Sequence, residues 1–457
     1  MESDLEHIYS REFRKEGLEK QLNKVKSVIE DAQAVQDYKT SHNPEILLAL
    51  NILEDFLRKR RRICYGGQAI NSYMPKKYKF YTENDLPDYD FFSPSQDADI
   101  DDLIAMFYQK GFKDIAVRLS VHGGTKKVYV NYMAIADVTQ IDPYVFKKLS
   151  EKANQFNGIY YADPDFLRMM MYLEISRPAG EVSRWEKVYE RLLLLNTFNP
   201  PKKCKYKANK QSLLLPQEKL NLLQTLTAKN HVICGLDVYS ALKSIKKVKT
   251  MKWFIKREPM IAYSSSLIDD ANYFRDYFQK IRPKATVKVE VGQEVGEIVP
   301  PIAIIRVGDQ PVLVLIQETA CHSYVTLRVK EGFELRLASI DTLVTLYFSM
   351  AYHPVLEGLI AKPLKCLVYE MVLFSINQRS GFTDKGGTPF LSITCSGHQK
   401  SLATLFKERD ELKKKLKEAA KALANSGGGS GKTMEAIVLP KESTVRRNKT
   451  LKKRTIQ

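Results

Sequence analysis

The sequence predicts an α+β protein in which a mixed sheet with surrounding helices is built twice and flanked by further helices. Two observations carry that expectation. Apolar spacing switches repeatedly between helical and extended periods along most of the chain. The helical stretch Asp163-Pro-Asp-Phe-Leu-Arg-Met-Met-Met-Tyr-Leu-Glu-Ile-Ser-Arg-Pro178 is also matched without a gap by Ser339-Ile-Asp-Thr-Leu-Val-Thr-Leu-Tyr-Phe-Ser-Met-Ala-Tyr-His-Pro354. A third observation separates the two copies: only the first carries aspartates at a spacing suited to chemistry.

Taken in order, residues 1–62 read as helical, with Ile46, Leu47, Leu50, Ile52, Leu53 and Phe56 on one apolar face. That helix runs into the basic block Arg58-Lys59-Arg60-Arg61-Arg62. Residues 63–67 form a short strand ending in Gly66-Gly67, and residues 68–74 start a second helix. Asp88-Tyr89-Asp90-Phe91-Phe92 alternates as a strand. Residues 98–110 are helical, with Asp99, Asp101 and Asp102 in or near the first turn, where acids suit the helix dipole. Residues 115–122 and 127–138 read as a hairpin through Gly123-Gly124, and residues 163–197 return to helix.

The second copy repeats this order. Hairpins at 115–138 and 302–319 precede the two matched helices. Each hairpin follows a helix with an Asp-Asp pair and a later Gln-Lys, Asp101-Asp102 with Gln109-Lys110 and Asp269-Asp270 with Gln279-Lys280. Further upstream, Ile63-Cys64-Tyr65-Gly66-Gly67 is answered by Val232-Ile233-Cys234-Gly235. The repeated units span about 40–195 and 215–355. Five regions result: an N-terminal helical extension (1–40), the aspartate-bearing domain (41–200), its degenerate copy (201–355), a helical region (356–425) and a tail (426–457). The helical region is interrupted at Gly386-Gly387 and ends in a lysine-rich helix at 399–424. After a Gly/Ser-rich linker at 425–431, the last fourteen residues hold six Lys or Arg and no acid, the composition of a disordered basic tail.

Composition narrows the partners. The 457 residues carry a formal charge of +18, which favours polyanions and speeds their encounter. The apolar runs, such as Leu192-Leu193-Leu194-Leu195, fall far short of the roughly 18 residues that span a bilayer. The start Met1-Glu2-Ser3-Asp4 has no basic-then-apolar leader. Cys64, Cys204, Cys234, Cys321, Cys366 and Cys395 lie far apart, a pattern of reduced thiols rather than of zinc or a disulfide scaffold.

The chemistry concentrates in Ile63-Cys-Tyr-Gly-Gly-Gln-Ala-Ile-Asn71, Leu86-Pro-Asp88-Tyr-Asp90-Phe-Phe92 and Met133-Ala-Ile-Ala-Asp137-Val-Thr139. Alternate residues of a strand share a face, so Asp88 and Asp90 converge. Asp137 closes an apolar strand that can lie beside them; Asp142, five residues on, is its rival. Three carboxylates so placed can hold two hard divalent cations, Mg²⁺ or Mn²⁺, suited to in-line attack on a nucleoside triphosphate. Gly66 and Gly67 remove the Cβ atoms that would keep phosphate oxygens from the backbone.

This order of double glycine, paired aspartates and a third aspartate resembles the polymerase-β-like nucleotidyltransferase superfamily. The helices Pro164-Asp-Phe-Leu-Arg168 and Arg184-Trp-Glu-Lys-Val-Tyr-Glu-Arg191, with Pro389-Phe390 and Cys395-Ser-Gly397, are similar to the virus-encoded poly(A) polymerase catalytic subunits of poxviruses, asfarviruses and mimivirus-like viruses. The resemblance covers residues 40–425. It implies a nucleotidyltransferase fold and a polynucleotide adenylyltransferase that extends RNA 3′ ends from ATP. Asp88, Asp90 and Asp137 match the catalytic, metal-binding acids, and Gly66, Gly67 and Lys187 the nucleotide contacts. It further implies viral mRNA-processing partners and residence in the virion or the infected host cell's cytoplasm, while the sheet and helical faces of a second copy without a ligand lead to the expectation of a homodimer built partly on it. The 20-residue gap between Gly67 and Asp88 is long for the pattern and leaves room for a turn bearing Lys76, Lys77 and Lys79.

The second copy shows no acid pair around Met260-Ile261-Ala262-Tyr263, and Gln317 or Glu318 is expected where Asp137 would fall. Ser426-Gly-Gly-Gly-Ser-Gly-Lys432-Thr433 imitates a phosphate-binding loop but lacks its first glycine and follows a lysine-rich helix instead of a strand. Two alternatives stay open: an RNA nucleotidyltransferase of the uridylyl- or CCA-adding type, and an inactive RNA-binding or processivity subunit, against which the three acids argue.

Overall fold

The computed structural model describes residues 11–81, 85–121, 123–202, 212–295, 298–379 and 390–425. Helix α1 (Arg11–Ser41) breaks before α2 (Pro44–Arg60), where the Asn43 side chain accepts from the Glu45 and Ile46 amides. A residue preceding proline avoids the helical conformation, so the single helix expected over 1–62 becomes two. Ile46, Leu50, Ile52, Leu53 and Phe56 are buried as their spacing requires, while Leu47 is 43% exposed, about 100° round the helix from Ile46.

The first sheet contains β1 (Ile63–Tyr65), β2 (Tyr89–Ser93), β3 (Ile115–Leu119), β4 (Thr125–Val130), β5 (Met133–Gln140), β6 (Asn154–Phe156) and β7 (Ile159–Tyr161), in the order β3-β4-β5-β2-β1-β7-β6. Around it lie α3 (Gly66–Ser72), α4 (Gln96–Gln109), α5 (Pro143–Ser150), α6 (Pro164–Ile175) and α7 (Trp185–Phe198). The extended run expected over 127–138 is two strands. Asn131 and Tyr132 turn it at φ 46° and 66°, both left-handed, as a tight two-residue hairpin demands.

The second sheet uses β8 (Val232–Ile233), β9 (Met260–Ser264), β10 (Val287–Gly292), β11 (Ile302–Val307), β12 (Gln310–Gln317), β13 (His322–Arg328), β14 (Glu334–Ala338) and β15 (Cys395–Ser396), in the order β10-β11-β12-β9-β8-β14-β13-β15. Apart from the added edge strand β15, its order and its parallel or antiparallel pairings repeat the first sheet strand for strand. Individual contacts repeat too. Ser93 Oγ donates to Asp99 at 2.5 Å, and Ser264 Oγ donates to Asp270 at 2.6 Å. The halves meet where α6 packs on α11 (Ile340–Met350), the matched helices of the repeat. The Tyr172 hydroxyl reaches Ser375 on α12 (Pro354–Arg379), and Phe166 meets the Tyr352 ring edge-on. The lysine-rich helix α13 spans Leu402–Asn425. Pro389, the Gly386-Gly387 interruption, the linker beyond Asn425 and the basic tail lie outside the described residues. No helix among the described residues is long and apolar enough to cross a membrane.

One expectation is corrected. The cysteines are not all reduced: β15 pairs with β13, Cys395 falls opposite Ser323, and Cys395 bonds to Cys321. Cys366 is disulfide-bonded as well, while Cys64 and Cys234 are free and buried. The basic block at the end of α2, residues 58–62, is partly satisfied internally. Arg58 pairs with Glu54 and Asp55, Arg60 with Asp102, and Arg62 with the buried Asp99.

Asp99 ties β2, α4 and Arg62 together, and removing one partner of a buried pair leaves the other uncompensated. Asp99→Asn should therefore lower stability by about 3 kcal/mol, read as a fall in urea midpoint at constant slope. An unchanged midpoint would show that the pair contributes nothing.

Candidate active site

Strand pairing gathers the predicted acids. Asp90 lies opposite Tyr65 on antiparallel β1 and beside Asp137 on parallel β5. One strand step is about 5 Å, so the two carboxylates occupy adjacent strands of one sheet. Asp88 stands just before β2 and is exposed, whereas Asp90 and Asp137 are partly buried. Burial first, then the charges of Asp88 and Asp137, push the Asp90 carboxyl up to about 7; Lys127 and Arg184 pull the other way. The acids therefore share one electrostatic field.

Gly66 is fixed by this arrangement twice over. Its φ is +69°, and a Cβ there would lie 2.2 Å from Asp90 Oδ2. A Cβ on Gly67 would meet the Tyr81 hydroxyl at 2.6 Å and Arg191 Nη1 at 2.9 Å. Arg191 donates to that hydroxyl at 3.1 Å, its guanidinium 4.5 Å from the Phe80 ring centre. Lys187 is exposed on α7, one turn before Arg191. With Arg184 at the start of the helix, the three cations follow helical spacing and share a face.

Sequence reasoning missed Lys127, Arg184 and Arg191. Lys127 is the β4 neighbour of Asp137 and forms an ion pair with it, which holds its ammonium above the ordinary value against the effect of burial. Its signal was the hairpin register, which cannot be counted without the turn at Asn131 and Tyr132. Tyr65 completes the face: its hydroxyl bonds Thr139 Oγ1 at 2.8 Å and its ring stacks on Phe92. Asp142, the rival third acid, caps α5 and accepts from the Tyr144 amide at 2.8 Å.

No group of three His, Cys, Asp or Glu among the described residues already stands at metal-holding spacing. The donor chemistry nevertheless fits hard divalent cations: all oxygen, with like charges crowded on Asp90.

In the second copy the ladders fix which residues replace the acids. Ser264 pairs with Gln317 as Ser93 pairs with Gln140, and Ile261 pairs with Val314 as Asp90 pairs with Asp137. Pro259, Ile261 and Val314 thus occupy the positions of Asp88, Asp90 and Asp137. This corrects the expectation of Gln317 or Glu318: Gln317 is the counterpart of Gln140, and both side-chain oxygens accept from the first amides of the helices that follow β2 and β9, at Gln96 and Leu267. Beside Gly235, Asp237 pairs with Arg257 at 2.8 Å and accepts from the Lys256 and Arg257 amides.

Residues 51–181 match the family model described as poly(A) polymerase catalytic subunit. A protein of Acanthamoeba polyphaga mimivirus, provisionally named a poly(A) polymerase catalytic subunit, is 24% identical over 296 residues, covering 58% of this chain and 50% of that one. An African swine fever virus protein (isolate Tick/South Africa/Pretoriuskop Pr4/1996), with the same provisional name, is 28% identical over 184 residues, 38% of each chain. The chain thus aligns with half or less of the length of these curated relatives. The crystal structure of the Megavirus polyadenylate synthase superposes with a TM-score of 0.72 at 19% identity, covering 88% of this chain and 83% of that one. The mixed α+β fold with two mixed sheets is therefore that of a viral polyadenylate synthase, and the resemblance to virus-encoded poly(A) polymerase catalytic subunits holds.

Asp90 yields a pH prediction for the metal-free protein. Its carboxyl sits at about 7 when folded against 3.8 when unfolded, so between those values the folded state carries more protons and stability falls as pH rises. Asparagine removes that dependence. Asp90→Asn should match the parent below about pH 4 and exceed it by roughly 4 kcal/mol at about pH 8, measured by urea unfolding in chelator. Equal stability at both pH values would contradict the crowding of charge.

Proposed function

We propose that this chain is a template-independent poly(A) polymerase that adds AMP from ATP to RNA 3′ ends, with catalysis in the first copy. The observation that carries the proposal is the carboxylate set of Asp88, Asp90 and Asp137, crowded enough to raise Asp90 and placed beside a glycine turn that no side chain could share. The family match over residues 51–181 encloses all five of these positions and supports the reading.

Asp90 and Asp137 would hold divalent cations, Mg²⁺ or Mn²⁺, with Asp88 at the open edge. Such ions acidify an attacking hydroxyl and neutralise the triphosphate and the departing pyrophosphate. Lys127 holds Asp137 in place and offsets part of the negative charge. Gly66 and Gly67 let the turn pass close to Asp90, Tyr81 and Arg191, while Arg184, Lys187 and Arg191 offer positive charge to the phosphates. Tyr65 and Thr139 fix the floor of the site by their mutual hydrogen bond. A homodimer using the second copy, viral mRNA-processing partners, and a place in the virion or the infected cell's cytoplasm belong to the same proposal.

Asp90→Ala and Asp137→Ala should each reduce AMP incorporation by at least the order of 10²–10³-fold, with RNA affinity retained, whereas Asp142→Ala should keep activity. Primer extension with each of the four nucleotides checks both the acids and the base choice. Normal tails from either variant would remove the assignment, and preferential UMP or CMP addition would favour the uridylyl- or CCA-adding type. Lys187→Ala should raise KM for ATP about tenfold, in line with loss of one charge-assisted contact of roughly 1.5 kcal/mol.

A further inference from the structure

The second copy carries a feature that the catalytic reading does not use. Between α9 (Leu236–Leu242) and β9, the chain presents Lys243, Lys246, Lys247, Lys249, Lys252 and Lys256, all exposed, and no acid occurs from 238 to 257. Among the described residues none of these six is ion-paired, unlike Arg58, Arg60 and Arg62 at the end of α2. Arg257 alone turns inward, to Asp237 and Ser240. Trp253 lies within the run, half-buried, with the Lys256 ammonium 4.5 Å from its ring centre. The Lys249 carbonyl accepts from the Lys330 amide at 2.9 Å, which brings the β13–β14 turn alongside.

The repeated topology gives this segment its meaning. It lies where the first copy has its insertion between α3 and β2, with Lys76, Lys77 and Lys79 and the Lys77 ammonium near the Tyr78 ring. Both halves thus bear a turn of lysines and an aromatic at the same topological place. In the first half it leads into the carboxylates. In the second it leads into Pro259, Ile261 and Val314, so the three acids are missing; of the neighbouring carboxylates, Glu331 accepts from the Met251 amide at 3.1 Å and Asp237 from the Lys256 and Arg257 amides. Exposed lysines are point charges that can follow a flexible backbone, and an indole offers a face to any unpaired base.

We propose that the lysine–tryptophan turn at 243–257 is a track for the single-stranded body of RNA, its lysines on the phosphates and Trp253 under a base. The inference rests on the RNA-extending function proposed above. Its test uses the full chain carrying Lys246→Gln, Lys247→Gln, Lys249→Gln and Lys252→Gln, with anisotropy of labelled oligoadenylate followed against salt. Four lost phosphate contacts should make the slope of log K against log salt shallower by about 3. AMP addition to saturating primer should stay normal while tails shorten. Photo-crosslinking of 4-thiouridine RNA to the parent protein should mark the peptide containing Trp253. An unchanged slope, or crosslinks confined to other peptides, overturns the track. So does unchanged RNA binding with loss of binding to phosphatidylserine vesicles, which would make the turn a membrane contact. Failure of the parent protein to add AMP, with the slope change intact, would instead overturn the catalytic reading and leave the track standing.

Discussion

The confinement of Asp90 governs the first half of the molecule. A carboxylate enclosed beside two others is costly, since burial and like charge both disfavour its ionised form. The surrounding residues answer that cost in identifiable ways. Gly66 gives up its side chain and adopts a left-handed φ so that Asp90 Oδ2 has room. Lys127 projects from the neighbouring strand to Asp137, and Arg184 offsets Asp90 from the start of α7. Replacing any of these without the others would leave either a collision or an unbalanced charge. The parallel pairing of β2 with β5 is what makes the crowding unavoidable, because it places positions 90 and 137 side by side.

The second half shows the same sheet without that constraint. Ile261 and Val314 are fully buried, and the run Val312 to Ile316 is buried throughout. Apolar residues at the former acid positions extend the core through the sheet, a favourable exchange of about 25 cal/mol per Å² of apolar surface removed from water. Beside the turn the second half carries the Asp237–Arg257 ion pair, where the first half packs Asp90, Tyr81 and Arg191 against its two glycines. Gly235 persists, yet its φ of −69° is ordinary, so the backbone demand that fixes Gly66 has lapsed. Apolar residues at these positions thus carry a structural gain, and α6 on α11 joins this half to the other.

Much of this was legible in the sequence, for stated reasons. The duplication was readable because the matched helices keep their length and their capping positions, Asp163 and Ser339. The neighbourhood of Asp90 and Asp137 was legible because each lies in a short apolar strand, although the strand expected from Asp88 begins only at Tyr89. What escaped depends on counting across loops. The turn at Asn131 and Tyr132 sits inside a nearly continuous apolar run, so the strand register and Lys127 with it were hidden. A register shift at Val128 and Tyr129 adds a further offset. Gln317 was misplaced for the same reason, since only paired strands show that it answers Gln140. The Cys321–Cys395 bond spans 74 residues and forms through an edge strand of two residues, too short to announce itself by periodicity.

Charge separation between the halves follows from these differences. In the first, cations stand against carboxylates: Lys127 is paired with Asp137, and Arg184 with Glu174 and Glu181. Such cations are directional and hold groups in place. In the second, the lysines of 243–257 are unpaired and act on any phosphate within a Debye length of about 8–10 Å. An enzyme that lengthens a polymer needs both kinds of contact. Fixed geometry at the reacting end gives chemistry, while equivalent, exchangeable contacts along the body let the strand advance by one residue without a large barrier. Under the proposed function one sheet built twice would supply both, the copy with Asp88, Asp90 and Asp137 reacting with phosphate and the copy with Pro259, Ile261 and Val314 in their places holding it.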